Sequence, residues 1–375
     1  MLEWSAPKQK TKLEKFLEQP HQLFFISTIV TAILALVFSI LSYSGVFGNF
    51  SDLHIFGLMY GVFANAFLGF LMTVIPRYTQ SILIKQSHYI PIWIIFELGI
   101  LLVFGSFEIG KLLVAASLLA SSVIFANTIS KGRVKQQKES IWVTLHIFAG
   151  AIILVLDYML GISLGSVSLW FFVLPLFFTI AQRMIFAFHR VFHNIEQNEI
   201  HPTLLAFFNI LFWGIGICVN TNTNPILFAI ALFVSAIYLL TKSPIYRKSP
   251  PILMILTIGF SWLPIGIFVL ILESIFDFEA LKLSTHILTV GFGLTLLIGF
   301  GTRVILGHSG QKIETDKIAN MIFVATQFVI IFRIFVSIAT FFVSNLTPLI
   351  HINLLLLALI FVIWGMKYGK VLIWR

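Results

Sequence analysis

Apolar runs of membrane-spanning length alternate with short polar interruptions along the whole chain. A helix that crosses a bilayer core needs about 20 mostly apolar residues. Twelve stretches meet or approach that length: 22–47, 53–76, 90–107, 109–129, 141–161, 168–188, 203–219, 224–241, 251–273, 283–306, 318–344 and 348–368. The pattern predicts an all-α polytopic bundle of 12 transmembrane helices. The longest interruption runs from about Lys131 to Ser140, too short for a soluble domain between spans. A single transmembrane domain over 1–375 is expected, with a polar tail at 1–21.

Composition agrees with the pattern. The chain is 59% hydrophobic and only 10% charged, with a mean hydropathy of +1.01. No soluble core of this length hides so much apolar surface. Basic residues fall in alternate interruptions. Lys8, Lys10, Lys12 and Lys15 precede the first span, and Arg77 and Lys85 follow the second. Lys131, Arg133, Lys135 and Lys138 follow the fourth, and Arg190 follows the sixth. Lys242, Arg247 and Lys248 follow the eighth, Lys312 and Lys317 the tenth, and Lys367, Lys370 and Arg375 close the chain. The other interruptions hold only Lys111 and Lys282, beside Glu108 and Glu279. By the positive-inside rule both termini are expected in the cytoplasm. The net charge of +9 then reflects orientation in a bilayer, and no nucleic-acid partner is expected. The first apolar run follows a charged tail and lacks a small-residue cleavage site, so it is expected as a retained span. The single cysteine, Cys218, excludes an internal disulfide and a cysteine-rich metal site.

One repeat signal recurs at a spacing of four spans. The second span ends GFLMTVIPRYTQS, the sixth LFFTIAQRMIFAF and the tenth GFGLTLLIGFGTRVILGHSG. Each carries an arginine near its end: Arg77, Arg183 and Arg303. Two readings stand. Either three arginines obey the charge rule, or three four-helix units form a pseudo-threefold array.

Candidate chemistry lies in the histidines. His54, His286 and His351 begin the second, tenth and twelfth spans, all on the expected outer side. His308 ends the tenth on the inner side. Neutral imidazole ligates iron, copper and zinc, and haem takes axial ligands from facing helices. The competing reading is an interfacial histidine bonded to water or a head group. Gly57, Gly61, Gly291 and Gly293 follow the candidates and admit a flat cofactor or a second helix. Depth is the difficulty. His54 stands 23 residues before Arg77, but His286 only 17 before Arg303, a mismatch of roughly 9 Å. Aligned on Gly69-Phe70 and Gly299-Phe300, the counts become 15 and 13, or roughly 3 Å. Arg333 lies inside the eleventh span and needs an anion; Asp157, Glu97 or a cofactor carboxylate are the candidates. His189 and His193, four apart with Glu196 beyond, present either a metal pair or a solvated helix end. No Ser-His-Asp arrangement, glycine-rich phosphate loop or HExxH motif appears.

The stretch THILTVGFGLTLLIGFGTRVILGHSGQ resembles the signature of the NnrS family of bacterial membrane proteins, HALTVGA followed by a threonine-arginine pair and LGHTG. The matching positions are His286, Leu288, Thr289, Val290, Gly291, Thr302, Arg303, Leu306, Gly307, His308 and Gly310. HIFGLMYGVFANAFLGFLMTVIPRYTQ is similar to the family's second span through His54, Gly69, Phe70, Leu71, Thr73, Pro76 and Thr79. The ending MKYGKVLIWR resembles the family's YGPILLRPR. The resemblance implies a haem- and copper-containing protein of the bacterial cytoplasmic membrane, tied to the nitric oxide response. The chain departs from the family where a further histidine often precedes the second span, and where Thr257 stands for a ninth-span histidine. The second and tenth spans also look distantly like the haem-bearing helices of haem–copper oxidase catalytic subunits, which are twelve-span pseudo-threefold arrays.

On this reading haem b is ligated by His286 and His54. His351 serves as a third ligand or holds copper. Arg333 holds a propionate or a structural carboxylate, and Arg303 and His308 line the inner end. A binding, sensing or protective role is expected, with nitric oxide and a respiratory-chain component as partners. The competing functions are a secondary transporter and an assembly factor that hands metal or haem to an oxidase.

Overall fold

The computed structural model describes residues 11–46, 48–134, 137–196, 199–278 and 280–373. Lys8, Lys10, Lys135, Glu279 and Arg375 lie outside the described residues. Every regular element among the described residues is helical.

All twelve apolar runs form helices. They are α1 (Pro20–Tyr43), α2 (50–79), α3 (Gln86–Leu102), α4 (Phe107–Ser130), α5 (Lys138–Leu160) and α6 (Gly165–His193). They continue with α7 (Pro202–Asn220), α8 (Ile226–Thr241), α9 (Pro251–Phe276), α10 (Leu283–His308), α11 (Lys317–Ala339) and α12 (Thr347–Ile373). Proline stands in the first turn of α1, α7 and α9, where its missing N–H costs nothing. Gln80, Asn194 and Gly161 end α2, α6 and α5 in the left-handed conformation, which releases the chain from the helix.

Twelve crossings were expected, and among the described residues ten helices are long and apolar enough to make one. The two others are α3, with 17 residues, and α8, with 16. At about 1.5 Å per residue they reach roughly 25 Å, short of the ~30 Å hydrocarbon core.

The helices differ in burial, and the difference defines the centre. The apolar windows of α2, α10 and α6 are 89%, 78% and 72% buried, against 61% or less for every other candidate span. These three share one build. Each opens with a short α-helical segment, passes through a π-helical stretch and continues as a longer α-helix. The π stretches are Gly57–Ala64, Leu169–Val173 and Ile287–Leu294. A π stretch adds a residue to the turn and redirects the side chains that precede it. The three helices meet through phenylalanines. Phe67 and Phe63 of α2 lie 4.5 and 5.1 Å from Phe177 of α6, and Phe177 lies 6.0 Å from Phe292 of α10. These edge-to-face rings add to the apolar burial.

The other helices pack around this layer. α1 lies between α2 and α12, α3, α4 and α5 pack in sequence, and α9 joins α8 to α10. The arginines do not share one register. Arg183 and Arg303 stand nine and eight residues beyond the start of their long α segments, while Arg77 stands twelve beyond. The common feature of the three spans is their π interruption.

Candidate cofactor site

His54 lies in the last turn of the short first segment of α2, and His286 ends that of α10. Their rings lie close together, tilted, with centroids 6.4 Å apart and planes 33° apart. The smaller of the two depth mismatches is therefore the right register. Measured from the end of each π stretch, the histidines differ by two residues. Both rings are half-buried.

Hydrogen bonds fix the protons on both rings. Ser39 Oγ gives its hydrogen to the Ala35 carbonyl at 2.6 Å, so at 3.3 Å from His54 Nδ1 it can only accept. His54 therefore carries its proton on Nδ1. His286 Nδ1 lies 2.9 Å from the Lys282 carbonyl, which is also only an acceptor. In both rings Nε2 is then the unprotonated nitrogen, and that of His286 accepts from Arg333 Nη2 at 3.3 Å. This is the tautomer of a ligating histidine, whose second nitrogen donates to a carbonyl or similar group.

Arg333 of α11 reaches the same place. Its Nη2 donates to the Leu281 carbonyl at 3.0 Å and lies 3.1 and 3.3 Å from the two nitrogens of His286. Its Nη1 donates to Ser337 Oγ at 2.6 Å. Neither protein carboxylate expected for it is its partner. Asp157 binds Lys111 and the Leu164 N–H, and Glu97 accepts from Asn65 at 2.9 Å. Lys111 also pairs with Glu108 at 2.9 Å, so its charge serves the α4–α5 contact.

His351 does not join the pair. It lies against Tyr43 at 5.7 Å; Tyr43 meets Phe50 at 5.2 Å, and Phe50 stacks on His54 at 5.0 Å. Two rings thus separate His351 from His54. Ser44 Oγ gives its hydrogen to Ile40 and lies 3.2 Å from His351 Nε2, which must donate to it. His351 thus carries the opposite tautomer. Among the described residues no group of three or more His, Cys, Asp or Glu is arranged to hold a metal ion.

The glycines serve packing. A Cβ on Gly57 or Gly61 would meet Ala35 or Thr31 of α1, and one on Gly291 would meet the Trp262 ring. They seat α1 and α9 against the central helices and leave no cradle for a macrocycle at those positions. At the opposite end, the Arg303 guanidinium stacks 3.8 Å over Phe188. His308 lies 4.5 Å from the His21 ring and 3.4 Å from Arg77. His189 and His193 are bound to Ser249, and His189 also to Thr257 at 3.0 Å. Thr257 of α9 thus bonds a histidine of α6.

Sequence reasoning missed Ser39 and Phe50, which orient and cover His54. No sequence signal marks Ser39; Phe50 could have been found as the residue one turn before His54.

Fold and site define a helical membrane protein that sets two imidazoles, each with an unprotonated Nε2, between its two most buried helices. The chain belongs to the NnrS family: the family model, described as NnrS protein, matches residues 15–375. No curated protein matches the sequence.

Proposed function

We propose that this NnrS-family chain binds haem b between His54 and His286, on the outer side of a bacterial cytoplasmic membrane, and acts in the response to nitric oxide. The paired tautomers carry this reading. Two imidazoles that held one metal between them at about 2 Å each would have centroids about 6 Å apart. The measured separation is 6.4 Å.

The charge at the site favours haem over a bare ion. Arg333 holds a guanidinium within 3.3 Å of His286 Nε2. A cation beside a ligand nitrogen repels a naked copper ion but attracts a group that brings its own carboxylates. Haem would supply the iron chemistry and two propionates. The protein's part is to orient the two rings, keep their Nε2 atoms unprotonated and offer Arg333 to an anion. Copper, if bound, would find two nitrogens in this pair and none from His351.

Twelve crossings and cytoplasmic termini fit the chain's own contacts. The Arg133 N–H donates to the Thr79 carbonyl at 2.8 Å, so α2 and α4 end on one side. α3 must then run from that side to the other. His193, at the end of α6, bonds Ser249 just before α9 at 3.1 Å. α7 leaves that side, and α8 must return to it. The side so defined is the basic one, which is cytoplasmic by the positive-inside rule. The shared π interruptions of α2, α6 and α10 favour the pseudo-threefold array over three arginines set by charge alone. Arg303 and His308 then line the inner end.

The test is haem content per chain after purification from membranes, read by a pyridine haemochrome assay alongside iron and copper analysis. About one haem per chain is expected, falling to background in His286→Ala and in His54→Ala. Full haem content in both variants overturns the assignment.

A further inference from the structure

A second site lies between α1, α2 and α3. A cavity of about 270 Å³ is enclosed there by apolar side chains. Its mouth is formed by Val30, Leu34 and Leu101, which are 50%, 38% and 60% exposed. In a bundle of membrane helices such an opening faces lipid. Its interior holds one ionisable group, Glu97. A carboxyl group within a spanning helix is costly and marks function by default.

The hydrogen bonds around Glu97 say what it lacks. Trp93 Nε1 donates to Ser27 Oγ at 2.8 Å, and the Ser27 hydroxyl bonds Glu97. Asn65 Nδ2 donates to Glu97 Oε1 at 2.9 Å. Asn65 is fully buried, and its own Oδ1 has no partner among the described residues. A carboxylate offers about four acceptor positions, and two are used. The remaining acceptors need a donor, which a lipid acyl chain lacks. An apolar cavity of about 150 Å³ accommodates benzene, so this one takes a substituted six-membered ring.

We propose that this cavity binds a lipid-soluble hydroquinone, its ring among the apolar lining side chains and one hydroxyl donating to Glu97. The ligand enters sideways from the bilayer past Leu34 and Leu101. The site adjoins the histidine pair. Leu53, Phe56 and Gly57 line the cavity and flank His54, and Ala35 lines it while accepting from Ser39. Binding depends on the cavity and Glu97, whatever occupies the histidine pair.

The test uses the full chain in phospholipid nanodiscs, titrated with duroquinol and with duroquinone. Saturable binding of one duroquinol per chain is expected, about tenfold tighter than duroquinone, because only the reduced form carries hydroxyls that donate to the open acceptor positions of Glu97. Glu97→Gln should weaken duroquinol about tenfold and erase the preference. Leu34→Trp, at an exposed position, should block the mouth and abolish saturable binding. Uptake that never saturates and is equal in all three proteins means partition into the bilayer only, and overturns the proposal. Equal affinity for the two redox forms overturns it as well.

Discussion

Ser39 Oγ lies 3.3 Å from His54 Nδ1 while its own hydrogen goes to the Ala35 carbonyl. A hydroxyl on one helix thereby decides which nitrogen of a histidine on the next helix is protonated. Removing such a partner of a ligating histidine typically costs about 10- to 100-fold in affinity. Ser39→Ala should therefore weaken haem binding by that factor while the fold persists, as read by titrating haemin into the apoprotein. An unchanged affinity would mean that Ser39 does not set the ring.

Arg333 is tied to the Leu281 carbonyl and to Ser337 by its two terminal nitrogens. A lysine carries the charge but cannot hold two partners in a planar fork. Arg333→Gln and Arg333→Lys should each lose stability of about 1.5–3 kcal/mol, seen as a lower melting temperature. Haem content should fall in both, and more in Arg333→Gln, which also loses the charge. Equal haem content in both variants and the wild type would remove Arg333 from the site.

α3 and α4 cross where two glycines face each other. A Cβ on Gly110 would come within 2.7 Å of the Gly99 carbonyl oxygen and 2.8 Å of the Val103 nitrogen. Backbone atoms cannot yield as a flexible side chain does. Gly110→Ala should thus destabilise the protein by about 1–3 kcal/mol, measured by thermal unfolding in detergent. A neutral substitution would mean that α3 does not pack against α4 this closely.

Much of this was legible in the sequence, and the limits have physical causes. The apolar runs mark all twelve helices because each must bury its backbone polar groups internally in lipid. Helix length is less legible: the apolar run at 90–107 ends as a helix at Leu102, and the one at 224–241 begins helix only at Ile226. Histidines in apolar helices marked the His54–His286 pair, since an imidazole there needs a partner. His351 carried the same signal yet stands two rings away, because a residue's place along a helix says nothing of which face it occupies. Arg333 was expected to meet Asp157 or Glu97. It meets a carbonyl, a hydroxyl and a histidine instead, partners that charge counting does not reveal. The π stretches left no periodic signal, since each shifts the apolar register by only one residue in a helix that is apolar all round.

Asp316 gives a pH dependence outside the membrane. Its carboxylate caps α11 by accepting from the Ala319 N–H at 2.9 Å, and it pairs with Lys367 of α12 at 2.5 Å. The cap, then the lysine, holds its carboxyl below the ordinary aspartate range. A group depressed in the folded state contributes stability above its unfolded pKa, and that contribution is lost as pH falls through the folded value. Wild-type melting temperature should therefore drop more steeply than that of Asp316→Asn as pH is lowered below the usual aspartate range. Parallel curves for the two proteins would remove Asp316 from the acid response.

The central claim is that His54 and His286 flank one iron. Electron paramagnetic resonance of the oxidised purified protein tests it most directly. The wild type and His351→Ala should show the low-spin ferric signal of two imidazole ligands, and His54→Ala and His286→Ala should each lose it. A low-spin bis-imidazole signal that survives in both of the latter variants would contradict the account.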